Sequence, residues 1–438
     1  MRSVRQSFVC VLSVAMLGVA LAGAPPAVPT ASKPEDVGFS TERLQRIHEA
    51  VQRHIEGKDV SGAVTLVARR GRVVHFEAQG LMDIESKKPM ARDSIFRLAS
   101  MSKPITAVAV MMMVEEGKIR LSDRVSTFIP EFKTLKVAVG KGGTAPVQMP
   151  AGRGGGPGGP PGPAPEFDLV RAAREITVKD LLTHTSGFMS GGVSGAEANK
   201  LAGPRKPDDT LASYLPKLAA APLDFQPGTL WRYSGLYGFD VLARIVEIAS
   251  GQPYDQFLKQ HVFDPLGMKD TGFAPTSERM ARVATVYQRT PNGLQPAANA
   301  NQLIGGTYFS ASGGLMSTAE DYLQFAQMLV NGGTLGGKRY LGPKTVELMT
   351  SNHTGDMVNG QFGRPAHGMG FALGVQLVLD PVAADLRVSP GTYGWAGAYG
   401  TNQNMDPKEK MVSIIMMQGA SGPLQRDFEN AVWQAMVE

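Results

Sequence analysis

The segment Ser94-Ile95-Phe96-Arg97-Leu98-Ala99-Ser100-Met101-Ser102-Lys103-Pro104 is followed by an apolar run, Ile105 to Val114, and then by Gly117. The run predicts a helix ending at Gly117, with Pro104 in its first turn, where proline gives up only an N–H that has no intrahelical partner. Ser100 then stands at the helix start, near unpaired backbone N–H groups and the positive end of the helix dipole. Lys103 lies on the same face, one turn above. If that turn is shielded from water the ammonium loses solvation, and a neutral amine can take the serine proton. Nucleophile and base would then share one helical turn. Ser100 is the only serine in the chain with lysine three residues later. About one S-x-x-K is nevertheless expected by chance at this composition, so spacing alone does not separate a catalytic turn from an ordinary helix start.

The flanking sequence places the turn. Ser40 reads as an N-cap for a helix whose stripe is Leu44, Ile47, Ala50, Val51 and Ile55, ending near Gly57. Gly62 to Ala68 and Val73 to Gln79 alternate as strands around a turn at Arg70-Gly71-Arg72. The order helix, hairpin, S-x-x-K helix puts Ser100 at a junction between sheet and helices. Strand patterning returns only late, at Phe371 to Leu379, Gly391 to Trp395, Ala398 to Asn402 and Lys410 to Met417, before a closing helix from Leu424 to Met436. Strands near both ends with helices between predict an α+β domain. Its antiparallel sheet is built from the two ends of the chain, and a mainly helical lobe occupies about residues 118–300.

A chain of 438 residues exceeds what one hydrophobic core usually supports, which fits two lobes or one large domain with insertions. At the N-terminus, Arg2 and Arg5 precede an apolar run from Phe8 to Ala22 with small residues at Ala20 and Ala22. This pattern predicts a secretory signal over residues 1–22 and a secreted or periplasmic protein with no stable membrane insertion after cleavage. Residues 23–36 read as a linker and 37–438 as the folded domain. Cys10 is the only cysteine and falls inside the signal, so disulfides, cysteine nucleophiles and thiolate metal sites are excluded from the mature chain. Losing Arg2 and Arg5 takes the formal charge from +5 to +3, too mild over this length to point to nucleic acid. The seven histidines contain no H-x-x-x-H or H-E-x-x-H pair, which argues against zinc.

From Val137 to Pro165 the composition shifts to glycine and proline, centred on Gly154 to Pro163. The stretch has no periodicity and reads as an inserted loop without packed structure. Order resumes at Ile176 to Gly187, where Thr177 caps a short helix through Leu181 and Leu182. His184 sits in that tight helix end and reads as a structural hydrogen-bonding residue. A turn at Pro227-Gly228-Thr229 leads to Trp231-Arg232-Tyr233-Ser234-Gly235. Further on, Ser317-Thr318-Ala319-Glu320 opens a helix to Leu329.

A lysine-activated serine also needs a proton route to the leaving group, donors for an oxyanion, and a wall for substrate. G-x-S-x-G is absent, which removes the α/β-hydrolase elbow. A tyrosine beside a lysine ammonium can carry a proton. Tyr233 is a candidate, and spacing does not choose it over Tyr237.

Three ordered elements, Ser100-Met101-Ser102-Lys103, Tyr233-Ser234-Gly235 and Gly394-Trp395-Ala396-Gly397-Ala398, resemble the three motifs of the serine β-lactamase and penicillin-binding superfamily. The chain is most similar to family VIII carboxylesterases and other class C β-lactamase-like hydrolases. IFRLASMSKPITA, ITVKDLLTHTSG, DPLGMKDTGF and SASGGLMSTAEDYLQFAQML add to the likeness, which runs from about Pro34 to the C-terminus. The resemblance implies a β-lactamase/DD-peptidase-like fold and a site between its lobes. It implies Ser100 as acylated nucleophile, Lys103 as its base, Tyr233 as proton carrier, and the backbone N–H groups of Ser100 and Ala398 as oxyanion donors. Trp395, Ala396 and Gly397 would line the substrate, and no metal or cofactor enters the scheme.

Two departures from the class C pattern carry information. Gly235 stands where Y-x-N has asparagine, and Trp395-Ala396-Gly397 stands where K-T-G is found. The missing lysine and threonine would have met a substrate carboxylate, whereas tryptophan offers an apolar wall. The expected substrate is therefore a small uncharged ester. A β-lactam, a D-amino-acid amide or peptide, and transesterification are the alternatives on the same machinery. A non-catalytic cell-wall binding or sensing protein is the alternative of another class.

Overall fold

The computed structural model describes residues 27–147, 166–298, 300, 306–358 and 367–438. The predicted signal over 1–22 and the run Gly154 to Pro163 lie outside the described residues.

Ser40 caps the first helix, α1 (Thr41–Glu56), by accepting the Arg43 N–H at 3.2 Å. Then come β1 (Gly62–Arg69), β2 (Arg72–Asp83) and β3 (Lys88–Pro89), the S-x-x-K helix α2 (Lys103–Glu115), α3 (Val178–Leu182), α4 (Gly238–Ser250) and α5 (Ala319–Val330). The chain returns to the sheet as β4 (Met369–Phe371), β5 (Gln376–Val378), β6 (Tyr393–Gly394), β7 (Asn402–Asp406) and β8 (Met411–Met417), and closes with α6 (Gly422–Gln434). The eight strands form one antiparallel sheet in the order β4-β5-β6-β7-β8-β1-β2-β3. The C-terminal β8 therefore pairs with the N-terminal β1, Leu66 opposite Ile414. The expected sheet from the two chain ends is what forms.

Every residue of β1 is buried, as in a strand covered on both faces. Ala63 and Val67 join Ile415 and Met417 under α1 and α6, while Val64, Leu66, Ile414 and Met416 belong to the main core. In α2 every residue from Lys103 to Met111 is buried. A helix apolar all round belongs at the centre of the molecule, and this fixes where Ser100 sits. No helix among the described residues is long and apolar enough to cross a membrane.

Four expectations need correction. The described part of the 23–36 stretch is docked rather than a free linker. Val73 donates to Pro29 O and Ala31 donates to Val73 O, each at 2.8 Å. The 137–165 insertion starts later than composition suggests, because Lys136–Gly140 pairs with Phe167–Arg171, and Val137, Ala138 and Val139 are buried. That continuous apolar run outweighs the neighbouring glycines. Phe371 to Leu379 is not one strand but the β4–β5 hairpin, bent at Gly374 with φ +84°, where a Cβ would fall 2.6 Å from Ala107 Cβ. Finally, Ala398 to Asn402 is mostly a turn, and the strand is β7, which starts at Asn402.

Candidate active site

The short strand Phe96–Arg97 pairs with Met316–Ser317, so the approach to Ser100 lies against the G-G-L-M segment. Ala99 has φ +46°, left-handed for a residue with a Cβ, and opens a 3-10 turn over Ala99–Ser102 that runs straight into α2. Ser100 is therefore in the turn before the helix, and Lys103 is the first α-helical residue. Tyr322 OH donates to Met101 O at 2.9 Å and holds the turn from the α5 side.

The Lys103 side chain is fully buried. Its Nζ is 3.2 Å from Ser100 Oγ, 3.0 Å from Gly235 O and 2.8 Å from Ser312 O. Two carbonyls can only accept, so they take two N–H bonds in either protonation state. The third direction faces Ser100.

The structure brings one of the two tyrosines to Ser100. Tyr233 OH donates to Ser100 Oγ at 2.7 Å, whereas the Tyr237 ring is packed against Tyr214 at 5.8 Å between centroids. Trp395, half-buried, donates its indole N–H to Tyr233 OH at 3.3 Å and packs on the Tyr233 ring at 5.1 Å. Buried Phe371 lies 5.3 Å from Trp395 and 5.4 Å from buried Trp231, and the three extend an apolar wall beside the hydroxyls. Trp395 N–H, Tyr233 OH, Ser100 Oγ and Lys103 Nζ form one hydrogen-bonded chain, in which Ser100 Oγ accepts from both Tyr233 OH and Lys103 Nζ.

Gly397 is buried against the same region. A Cβ there would fall 2.1 Å from Leu98 O, and Thr401 Oγ1 donates to Leu98 O at 3.1 Å. Gly397 N–H donates to Thr401 O at 2.7 Å, closing the turn that carries Ala398. The Ala398 N–H thus belongs to a turn rather than to the expected strand. Among the described residues, neither that N–H nor the one of Ser100 has an acceptor. Ala396 is half-buried beside Trp395.

Several functional groups had no signature in the sequence. Gly235 O and Ser312 O are backbone acceptors, and residue type does not announce a carbonyl. Asp240, on α4, is buried and accepts Tyr308 OH at 2.8 Å, Ser310 Oγ at 3.1 Å and Ser312 N–H at 2.7 Å. It fixes the segment whose carbonyl faces Lys103. Asp240→Asn turns an acceptor-only group into one with a donor facing donors. Bonds to a charged acceptor contribute about 1.5–3 kcal/mol each, so a loss of about 2 kcal/mol in urea unfolding is expected. Displacing Ser312 O should lower kcat about tenfold with KM little changed.

The Beta-lactamase family profile matches residues 47–435. Protein Rv1367c of Mycobacterium tuberculosis is 35% identical over 371 residues, covering 82% of this chain and 86% of its own length. Esterase EstB of Burkholderia gladioli is 30% identical over 437 residues, covering 92% of this chain and 99% of its own. Among solved structures, EstCE1, described as a hydrolase with promiscuous acyltransferase activity, superposes with a TM-score of 0.72 at 29% identity, covering 90% of this chain and 99% of that one. A match over this span, with esterases among the relatives and the antiparallel sheet in place, means that the chain belongs to the Beta-lactamase family and is a serine hydrolase related to the family VIII carboxylesterases.

Proposed function

We propose that the protein is a carboxylesterase working through an acyl-enzyme on Ser100, with small uncharged esters of short-chain or aromatic acids as substrates. Ser100 Oγ attacks the ester carbonyl while its proton passes to Lys103 Nζ. The N–H groups of Ser100 and Ala398 receive the oxyanion, and Tyr233 OH gives a proton to the departing alcohol as the C–O bond breaks. Water then enters by the reverse route, releasing the acid and restoring Ser100. An alcohol in place of water gives acyl transfer, a second reading favoured by the activity described for EstCE1. The signal-like segment over residues 1–22 supports a periplasmic or secreted location.

The observation that carries the ester reading is Trp395. Its indole hydrogen-bonds Tyr233 OH and packs with Phe371, where a carboxylate-binding lysine would be needed for a β-lactam. The test offers p-nitrophenyl butyrate and a chromogenic cephalosporin to the purified protein side by side, with Ser100→Ala as control. Ester turnover exceeding cephalosporin turnover by about 10²-fold in kcat/KM is expected. Faster cephalosporin turnover overturns the ester reading. Turnover of neither, together with no labelling by a fluorophosphonate, returns the protein to a binding role.

A further inference from the structure

Residues 230–235 lie in no helix or strand, yet Tyr233 must hold its phenol on Ser100 Oγ. The amides on both sides of Tyr233 go to one residue. Arg232 N–H donates to the His184 backbone carbonyl at 3.1 Å, and Ser234 N–H donates to His184 Nδ1 at 3.2 Å. The imidazole nitrogen takes the place that the next carbonyl of a neighbouring strand would fill. We propose that His184 is the positioning residue for Tyr233, its carbonyl and Nδ1 gripping the flanking amides and setting the phenol, and with it Gly235 O, against Ser100 and Lys103. The inference rests on the acylation role read for Ser100 and goes beyond it by assigning a residue that touches neither substrate nor the reacting atoms.

The surroundings of His184 suit this role. Its backbone is left-handed at φ +58°, a conformation that aims both acceptors at one strand-like segment and, beyond glycine, is found mainly at asparagine, aspartate and histidine. The conformation is held from behind, where Thr185 N–H donates to Asp180 O at 2.9 Å and Gly228 N–H donates to Thr185 O at 2.8 Å. An acceptor Nδ1 requires the neutral ring with hydrogen on Nε2. Burial and the neighbouring Lys103 both push the imidazole well below its ordinary value, which keeps it neutral. Nε2 is buried without a hydrogen-bond partner among the described residues. It is enclosed by rings, with Tyr233, Phe371 and Phe239 centroids 4.7, 5.0 and 5.4 Å from the imidazole.

Two variants separate the grip from packing. His184→Asn places its side-chain oxygen where Nδ1 was and tolerates the left-handed backbone, but leaves a gap among the rings. His184→Phe fills the gap and has no acceptor. A packing role predicts that phenylalanine preserves more activity, and the grip predicts the reverse. We expect His184→Phe to lower kcat about 50-fold or more with KM within about threefold, and His184→Asn to keep kcat within about fivefold of the parent. Hydrogen exchange of the Ser234 amide, which needs no substrate, should accelerate about tenfold or more in His184→Phe and stay within about threefold of the parent in His184→Asn. If the parent hydrolyses no ester, the carboxylesterase reading fails and the exchange result alone decides the grip. Unchanged Ser234 exchange in His184→Phe, or equal losses of kcat in both variants, overturns it.

Discussion

Replacing Lys103 with methionine is expected to lower kcat for ester hydrolysis about 10³-fold or more, at the upper end of what a positioned general base contributes. Methionine matches the length of the lysine stem and suits a fully buried site, so the helix start should survive. Two effects on stability oppose each other. Gly235 O and Ser312 O lose a buried donor, a cost of about 1–3 kcal/mol per orphaned acceptor. Against that, an amine no longer has to be withdrawn from water. A net change under about 2 kcal/mol in urea unfolding follows, much smaller than the catalytic loss of about 4 kcal/mol that 10³-fold represents. Lys103→Arg sharpens the test, because guanidinium keeps the charge and cannot accept the serine proton. If Lys103 acted only as a cation beside Tyr233, arginine would retain part of the rate. If it is the base, both variants fall together. A methionine variant within tenfold of the parent kcat, with Ser100 still labelled by a fluorophosphonate at the parent rate, removes Lys103 from the mechanism.

What the sequence made legible follows from the kind of signal involved. Periodic apolar stretches were readable: Ser40 to Ile55, Gly62 to Gln79 and Lys410 to Met417 became α1, the β1–β2 hairpin and β8, because burial on one or two faces writes itself into alternation. Ser100 and Lys103 were readable because a side chain carries their chemistry. Tyr233 was not separable from Tyr237 by spacing. What separates them is the segment 230–235, whose course is set by hydrogen bonds to His184 and not by any repeat. Lys103 donates to two carbonyls, and the proposed oxyanion donors are N–H groups, so residue identity is silent about both. The same reason explains the misplaced strand at Ala398 to Asn402. Its residues alternate well enough, but Gly397 N–H bonds to Thr401 O and turns the chain before β7 starts. Composition misled at Val137 too, since burial of Val137, its strand pairing with exposed Val170 and a bridge to Leu223 prevail over the nearby glycine-rich run.

The other large effect is expected at Gly397, where alanine should lower kcat about 10²-fold. Its Cβ would fall 2.1 Å from Leu98 O and 2.3 Å from Thr401 Oγ1, and real Cβ atoms essentially never come within 3.0 Å of such neighbours. Leu98 O is backbone two residues before Ser100, held by the Leu98 N–H bond to Leu315 O at 2.9 Å, so it has little room to yield. The turn carrying Ala398 must move instead, by about an ångström, and misplacement on that scale costs about 10²-fold in rate. Losing one oxyanion donor has a similar effect, about 10²–10³-fold, and acts on kcat rather than KM because the charge it meets exists only in the transition state. Overpacking also destabilises, by about 1–3 kcal/mol, so a stability control is needed. Gly333→Ala supplies it: the Cβ there would fall 2.2 Å from Leu341 O in the turn after α5, and the left-handed φ of +93° adds backbone strain, so it destabilises at least as much. Both variants should unfold at lower urea concentration, while only Gly397→Ala loses kcat per folded molecule. Equal kcat in the two folded variants would remove the 397–401 turn from transition-state stabilisation and leave Ser100 N–H without Ala398 as its second donor.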